Sequence, residues 1–174
     1  MQKMTRLACA LALAVSGISA AHADNGGVGV RVGATGSMER VEAYWTSPVL
    51  WSYQGSDSRP LFDLSLEAGV AYWHARGSRK PSSLWQVAAT PMFRWWMTDS
   101  VFLEAGIGVS AFNRTRFADK NLSTAFQFSD QLGIGWQMSS SQQIGLRLSH
   151  YSNAGIKRPN PGLDMVQLNY RYSF

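Results

Sequence analysis

Three residues near the C-terminus have the types and spacing of a hydrolytic triad: His150, Ser152 and Asp164. Ester hydrolysis needs a nucleophile, a base within hydrogen-bond reach of it, and an acid that orients the base. A hydroxyl, an imidazole and a carboxylate supply those parts. The alternation around them says what holds them. Ile144, Leu146 and Leu148 are apolar, with Gly145, Arg147 and Ser149 between them; Val166, Leu168, Tyr170, Tyr172 and Phe174 alternate with Gln167, Asn169, Arg171 and Ser173. Both segments read as strands with one apolar and one polar face. The first apolar row continues upward to His150 and Ser152, and the second reaches back to Asp164. An eleven-residue loop, Asn153 to Leu163, joins the two strands and marks them as neighbours. All three residues therefore extend faces that elsewhere carry hydrocarbon, where ionisable groups are costly without a reason. The bland alternative places them in a polar rim above the hydrocarbon. Two residues along a strand separate the Cα atoms of His150 and Ser152 by about 6.5 Å. Bent side chains or a local bulge are expected to close that gap, while Asp164 reaches the imidazole from the adjacent strand.

The segment HYSNAGIKRPNPGLD, His150 to Asp164, resembles the outer-membrane lipid A 3-O-deacylases, the PagL-like family, whose barrel carries a His-x-Ser-Asn motif on its seventh strand. The family's acidic residue lies fourteen residues after the histidine and is typically glutamate. Asp164 stands at that place, one methylene shorter, a residue type that serves in many triads. The resemblance extends more weakly through VGATGS (Val32 to Ser37) and FLEAGIGVSAF (Phe102 to Phe112). It implies an outer-membrane esterase that removes the 3-O-linked acyl chain of lipid A (lipopolysaccharide) and releases a 3-hydroxy fatty acid. Ser152 would attack, His150 would act as base and Asp164 would orient it, with no cofactor and with the active site towards the outer leaflet. The oxyanion needs donors. Asn153, part of the motif, is the first candidate, and Asn160 and the Gly155 amide follow in the same loop. Two rivals stand beside this reading: a non-enzymatic structural or adhesive barrel, and another lipid-modifying barrel such as an acyltransferase or phospholipase. The oligomeric state is left open, a homodimer being one option.

The rest of the chain suits a barrel. Residues 1–23 read as a cleaved signal peptide: Lys3 and Arg6 lead, Leu7 to Ile18 is apolar, and Ala21-His22-Ala23 is a small-residue cleavage site. The sole cysteine, Cys9, goes with it, which leaves residues 24–174 as one exported domain without disulfides. Of sixteen basic residues Lys3 and Arg6 are lost, leaving fourteen against eleven acidic ones, a net charge of +3. No later segment has eighteen uninterrupted apolar residues, so no transmembrane helix is expected. Six further segments alternate: Val28 to Ala34, Val41 to Trp45, Phe62 to Tyr72, Trp85 to Met97, Val101 to Val109 and Gln131 to Met138. With the two terminal strands that makes eight, close to the roughly 9–11 residues a tilted strand needs to cross a bilayer. An open sheet in lipid would leave edge amides unpaired. The expected fold is therefore all-β, an eight-stranded antiparallel up-and-down transmembrane β-barrel.

The expected inward row holds Arg31, Arg94, Arg147 and Arg171 with Glu42, Asp63, Glu67 and Glu104. Eight strands leave an interior that side chains just fill, so these charges read as an ion-pair network and not a pore. Short runs at Thr98-Asp99-Ser100 and Ser139-Ser140-Ser141 read as inner turns; His74–Ser83, Asn113–Thr124 and Asn153–Leu163 read as outer loops. The connection from Pro48 to Pro60 is long for an inner turn and has no explanation in the pattern. The outer loops are basic. Lys157 and Arg158, with Arg114 and Arg116, are candidate contacts to lipid phosphate, against a solvated rim as the bland reading. The aromatics follow barrel interfaces, which gives no nucleic-acid surface. Too few histidines and no remaining cysteine argue against a metal site. His74 and Asp130 lie on outward parity, Asp130 near the upper interface.

Overall fold

The computed structural model describes residues 26–55 and 60–174; the expected signal peptide, residues 1–23, lies outside them. Along the described chain run β1 (Gly27–Thr35), β2 (Met38–Thr46), β3 (Trp51–Gln54), β4 (Pro60–Ala75), β5 (Ser83–Trp96), β6 (Val101–Phe112), β7 (Arg116–Phe117), β8 (Lys120–Asn121), β9 (Phe126–Gln137), β10 (Gln142–Ser152) and β11 (Leu163–Ser173). The eight longer ones, β1, β2, β4, β5, β6, β9, β10 and β11, pair antiparallel with their neighbours, and β11 pairs back onto β1 to close the barrel. Closure leaves none of the eight with a free edge along the wall, as a hydrocarbon environment demands.

The period of two decides what faces where. Outward positions such as Val70, Ile107, Leu132, Leu146 and Leu168 are about half exposed or more, whereas Arg31, Gln86, Arg147 and Gln167 on the opposite parity are buried. At the end that holds Gly27 and Phe174, exposed Trp45, Trp95, Trp136 and Tyr172 ring the wall. Phe62 stacks on Phe93 there at 5.3 Å between centroids, as expected of an interfacial aromatic girdle.

Charges fill the lumen, in the way the inward row anticipates. Arg31 pairs with Glu42 at 2.7 Å and with Glu67; Arg147 pairs with Glu67 at 2.7 Å and with Glu104 at 2.6 Å. Arg94 lies 3.8 Å from Asp63 and 3.9 Å from Glu104. Arg40, outside the expected row, joins through Glu42 at 2.9 Å and through Gln167. The cavity between Arg31, Glu42, Tyr44 and Glu67 measures about 10 Å³, room for about one water.

Two segments depart from the alternation. Within the unexplained Pro48–Pro60 connection, the described strand Trp51–Gln54 continues the wall. Pro48 has no N–H to give the ladder and interrupts β2. The chain then resumes as β3, paired to the lower half of β4 through Trp51–Leu64 and Tyr53–Phe62. Ser47 N and Leu50 N bridge the break by donating to Leu66 O and Leu64 O, both at 2.8 Å. The segment Asn113–Thr124, expected as an outer loop, holds the second departure, the small β7–β8 hairpin. Its Phe117, Ala118 and Leu122 are buried against Trp73, Phe112, Tyr151 and Leu163 at the barrel mouth. Trp73 meets Phe117 and Tyr151 edge-on at 6.1 and 5.4 Å. Burying each large apolar side chain there contributes about 1.5–3 kcal/mol, enough to fold the loop inward over the mouth.

Candidate active site

His150 and Asp164 lie directly opposite one another in the β10–β11 register. The imidazole Nδ1 is 2.7 Å from Asp164 Oδ1. With its proton on Nδ1 the ring donates to the carboxylate, and Nε2 is left free to accept. Both side chains are on the outer surface, 45% and 73% exposed, one step above the exposed pair Leu148–Val166. They thus crown an apolar column at the end remote from Gly27 and Phe174.

Ser152 is the last residue of β10 and sits opposite Phe128 of β9. The β9–β10 pairing runs unshifted from Gln143 to Ser152, so of the two expected ways to draw Ser152 towards His150, a bulge is absent and bent side chains are left. Its hydroxyl makes no hydrogen bond to any described residue. Regular strand geometry accounts for the gap, because same-face neighbours stand about 6.5 Å apart.

The loop after Ser152 is wound around Asn153, which is fully buried. Its Nδ2 donates to Leu122 O at 3.1 Å and Lys157 O at 2.8 Å, and its Oδ1 accepts from Gly155 N at 2.9 Å. Its own amide donates to Asn160 Oδ1 at 3.1 Å. The three residues expected to supply oxyanion donors are therefore brought together, but the Asn153 side chain and the Gly155 amide are taken up in holding the turn. The Ala154 amide and Asn160 Nδ2 are among the donors of this turn that have no acceptor among the described residues. Ala154 and Gly155 have φ of 51° and 80°, the left-handed region, and side-chain bonds from Asn153 hold them there.

Of the four candidate phosphate contacts, Arg114, Arg116, Lys157 and Arg158 are all exposed, and none makes an ion pair with a described residue. Arg76, by contrast, pairs with Glu39 at 2.7 Å. No cluster of three His, Cys, Asp or Glu able to hold a metal occurs among the described residues. His74 sits on β4 opposite Glu39 and Ser83, away from the triad residues. Asp130 is nearer than its parity alone announces: it lies opposite His150 on β9, exposed and outward, so the imidazole has a carboxylate-bearing strand on each side. Parity was readable in advance; the register that sets the two side by side was not.

Comparisons with known proteins identify the family. The model of the family "Lipid A 3-O-deacylase (PagL)" matches residues 39–173. "Lipid A deacylase PagL" of Bordetella bronchiseptica is 48% identical over 168 residues, covering 97% of this chain and 90% of the relative. The protein of the same name from Pseudomonas aeruginosa is 36% identical over 177 residues, covering 98% of each. Among solved structures, the crystal structure of the outer membrane enzyme PagL superposes with a TM-score of 0.74 at 32% identity, over 85% of this chain and 99% of that one. With a barrel of the same kind and a family match spanning nearly all its strands, this chain belongs to the lipid A 3-O-deacylase (PagL) family.

Proposed function

We propose that the protein is an outer-membrane esterase that removes the 3-O-linked acyl chain of lipid A by a Ser-His-Asp mechanism, with its active site towards the outer leaflet. The observation that carries this reading is the 2.7 Å contact between His150 Nδ1 and Asp164 Oδ1 on the outward row of the wall. Ser152, two residues along the same row, is the side chain that can complete a triad.

The steps follow from that arrangement. Ser152 Oγ forms a bond to the ester carbonyl carbon while His150 Nε2 takes its proton. Asp164 steadies the resulting imidazolium. The tetrahedral oxyanion is met by the Ala154 amide and Asn160 Nδ2, in a turn that the buried Asn153 side chain shapes. Collapse breaks the acyl C–O bond, and His150 returns the proton to the 3-oxygen of the glucosamine. Water, deprotonated by the same imidazole, then attacks the acyl-enzyme, frees Ser152 and releases a 3-hydroxy fatty acid. The bound ester lies between Ser152 and His150 and draws them together, since catalytic hydrogen bonds that are long in the free enzyme tighten in the complex. Lys157, Arg158, Arg114 and Arg116, which have no acidic partner among the described residues, meet the phosphates of lipid A.

Mass spectrometry of lipid A from cells expressing the wild type and Ser152→Ala tests the reading. Wild type yields lipid A lighter by one 3-hydroxyacyl group, and Ser152→Ala yields unmodified lipid A at equal levels of folded barrel. Full deacylation by Ser152→Ala would refute the nucleophile.

A further inference from the structure

We propose that Lys120 and Gly162 are positioning residues for the imidazole of His150, and that one hydrogen bond between them ties the mouth hairpin to the catalytic base. The inference rests on His150 being that base.

Gly162 immediately precedes β11. Its φ is +63°, and a Cβ built on it would stand 2.7 Å from His150 Cε1 and 3.4 Å from Nε2. A side chain at this position would therefore collide with the edge of the ring that must exchange protons. Glycine is needed twice here, once for the left-handed backbone and once for the closeness of the imidazole. The ring is thus bounded on two sides. Asp164 holds Nδ1 by a hydrogen bond, and the bare Cα of Gly162 forms a wall beside Cε1 and Nε2.

A wall steadies a ring only if it is itself fixed. The carbonyl of Gly162 accepts a hydrogen bond from Lys120 Nζ at 2.9 Å. Lys120 belongs to β8, whose hairpin is seated by the buried Phe117 and Leu122. Two further bonds join hairpin and catalytic loop: Asn153 Nδ2 to Leu122 O at 3.1 Å and Ser123 Oγ to Pro159 O at 2.7 Å. The mouth hairpin is therefore anchored in the barrel core at one end and holds the catalytic loop at three points. Only the Lys120 bond ends on the residue that touches the base. Lys120 also differs from Arg114, Arg116, Lys157 and Arg158 in that its ammonium is engaged by a carbonyl, so it serves geometry and not lipid phosphate.

The test measures kcat and KM separately on lipid A and on a small soluble ester, with folding scored by heat-modifiable gel mobility. Lys120→Met is expected to lower kcat about tenfold on both substrates and to leave KM within about twofold, because misplacing a catalytic group costs rate and not affinity. Lys120→Arg, which keeps a donor, is expected to restore most of that loss. Gly162→Ala is expected to cost about a hundredfold in kcat. Should Gly162→Ala fail to fold, the two Lys120 variants decide. Wild-type kcat in Lys120→Met, or a rise in KM confined to lipid A, overturns the proposal. Ser152→Ala run alongside separates the two levels. An active Ser152→Ala overturns the triad itself, whereas an inactive Ser152→Ala beside an unaffected Lys120→Met overturns only the positioning role.

Discussion

Removing the carboxylate of Asp164 tests the mechanism where this site differs from a buried triad. In a buried triad the acid fixes the tautomer in a dry environment, and its loss costs about 10⁴-fold in kcat. Here the acid side chain is 73% exposed and its imidazole partner 45%. Exposure screens the charge and lets water replace part of the bond. What Asp164→Ala removes is one charge-assisted hydrogen bond of 2.7 Å, worth about 1.5–3 kcal/mol. That corresponds to a fall in kcat of about ten- to a hundredfold, well short of the several powers of ten expected for Ser152→Ala. Asp164→Glu restores a carboxylate on a longer stem from the directly opposed position, and is expected to stay within about tenfold of wild type, since cross-strand pairs reach each other over about 5 Å between Cβ atoms. The assay is the initial rate of 3-O-deacylated lipid A formation at matched amounts of folded protein. Wild-type turnover in Asp164→Ala would refute the orienting role, and a loss as deep as that of Ser152→Ala would refute the argument from exposure.

Three further outcomes are expected. Replacing Lys157 and Arg158 together with Gln raises KM for lipid A by about five- to tenfold, as two exposed phosphate contacts allow, and leaves a small soluble ester unaffected; equal loss on both substrates removes phosphate recognition as the cause. Glu67→Gln leaves Arg31 and Arg147 short of a shared partner in the lumen and lowers stability by about 3–5 kcal/mol, read from denaturant unfolding in detergent, while an unchanged midpoint contradicts it. Reconstituted protein gives no steady ion conductance, because the network around Arg147 fills the bore; a stable open channel argues against the filled interior.

Much of the wall was legible because a strand states its facing at every second residue. His150 follows Leu146 and Leu148, and Asp164 precedes Val166 and Leu168, so their common outward side was readable before any coordinates. The eleven-residue loop made their strands neighbours. What period two does not encode is register, and register is what puts Asp130 level with His150. Short pieces were equally hidden. Two residues each of β7 and β8 cannot display a pattern, and their inward fold depends on the apolar surface of Trp73 and Tyr151, contributed by distant strands. Arg40 shares the parity of Glu42 but precedes the apolar row Val41, Ala43 and Trp45, so the alternation does not mark it as inward. Asn153 shows the limit most clearly: its type suits an oxyanion donor, yet its bonds go to Leu122 O and Lys157 O, partners that only the folded loop supplies.

A triad on the outside of the wall changes what access means. On the proposed reading no gate has to open and no lipid has to leave its leaflet. Substrate arrives by lateral diffusion in two dimensions, so the rate follows the mole fraction of lipid A in the surface around the barrel and not its amount per volume. Diluting the surface with an inert detergent or phospholipid, at fixed total lipid A, is then equivalent to lowering substrate concentration. The filled bore takes no part in this traffic, and its charges can be altered with consequences for folding alone.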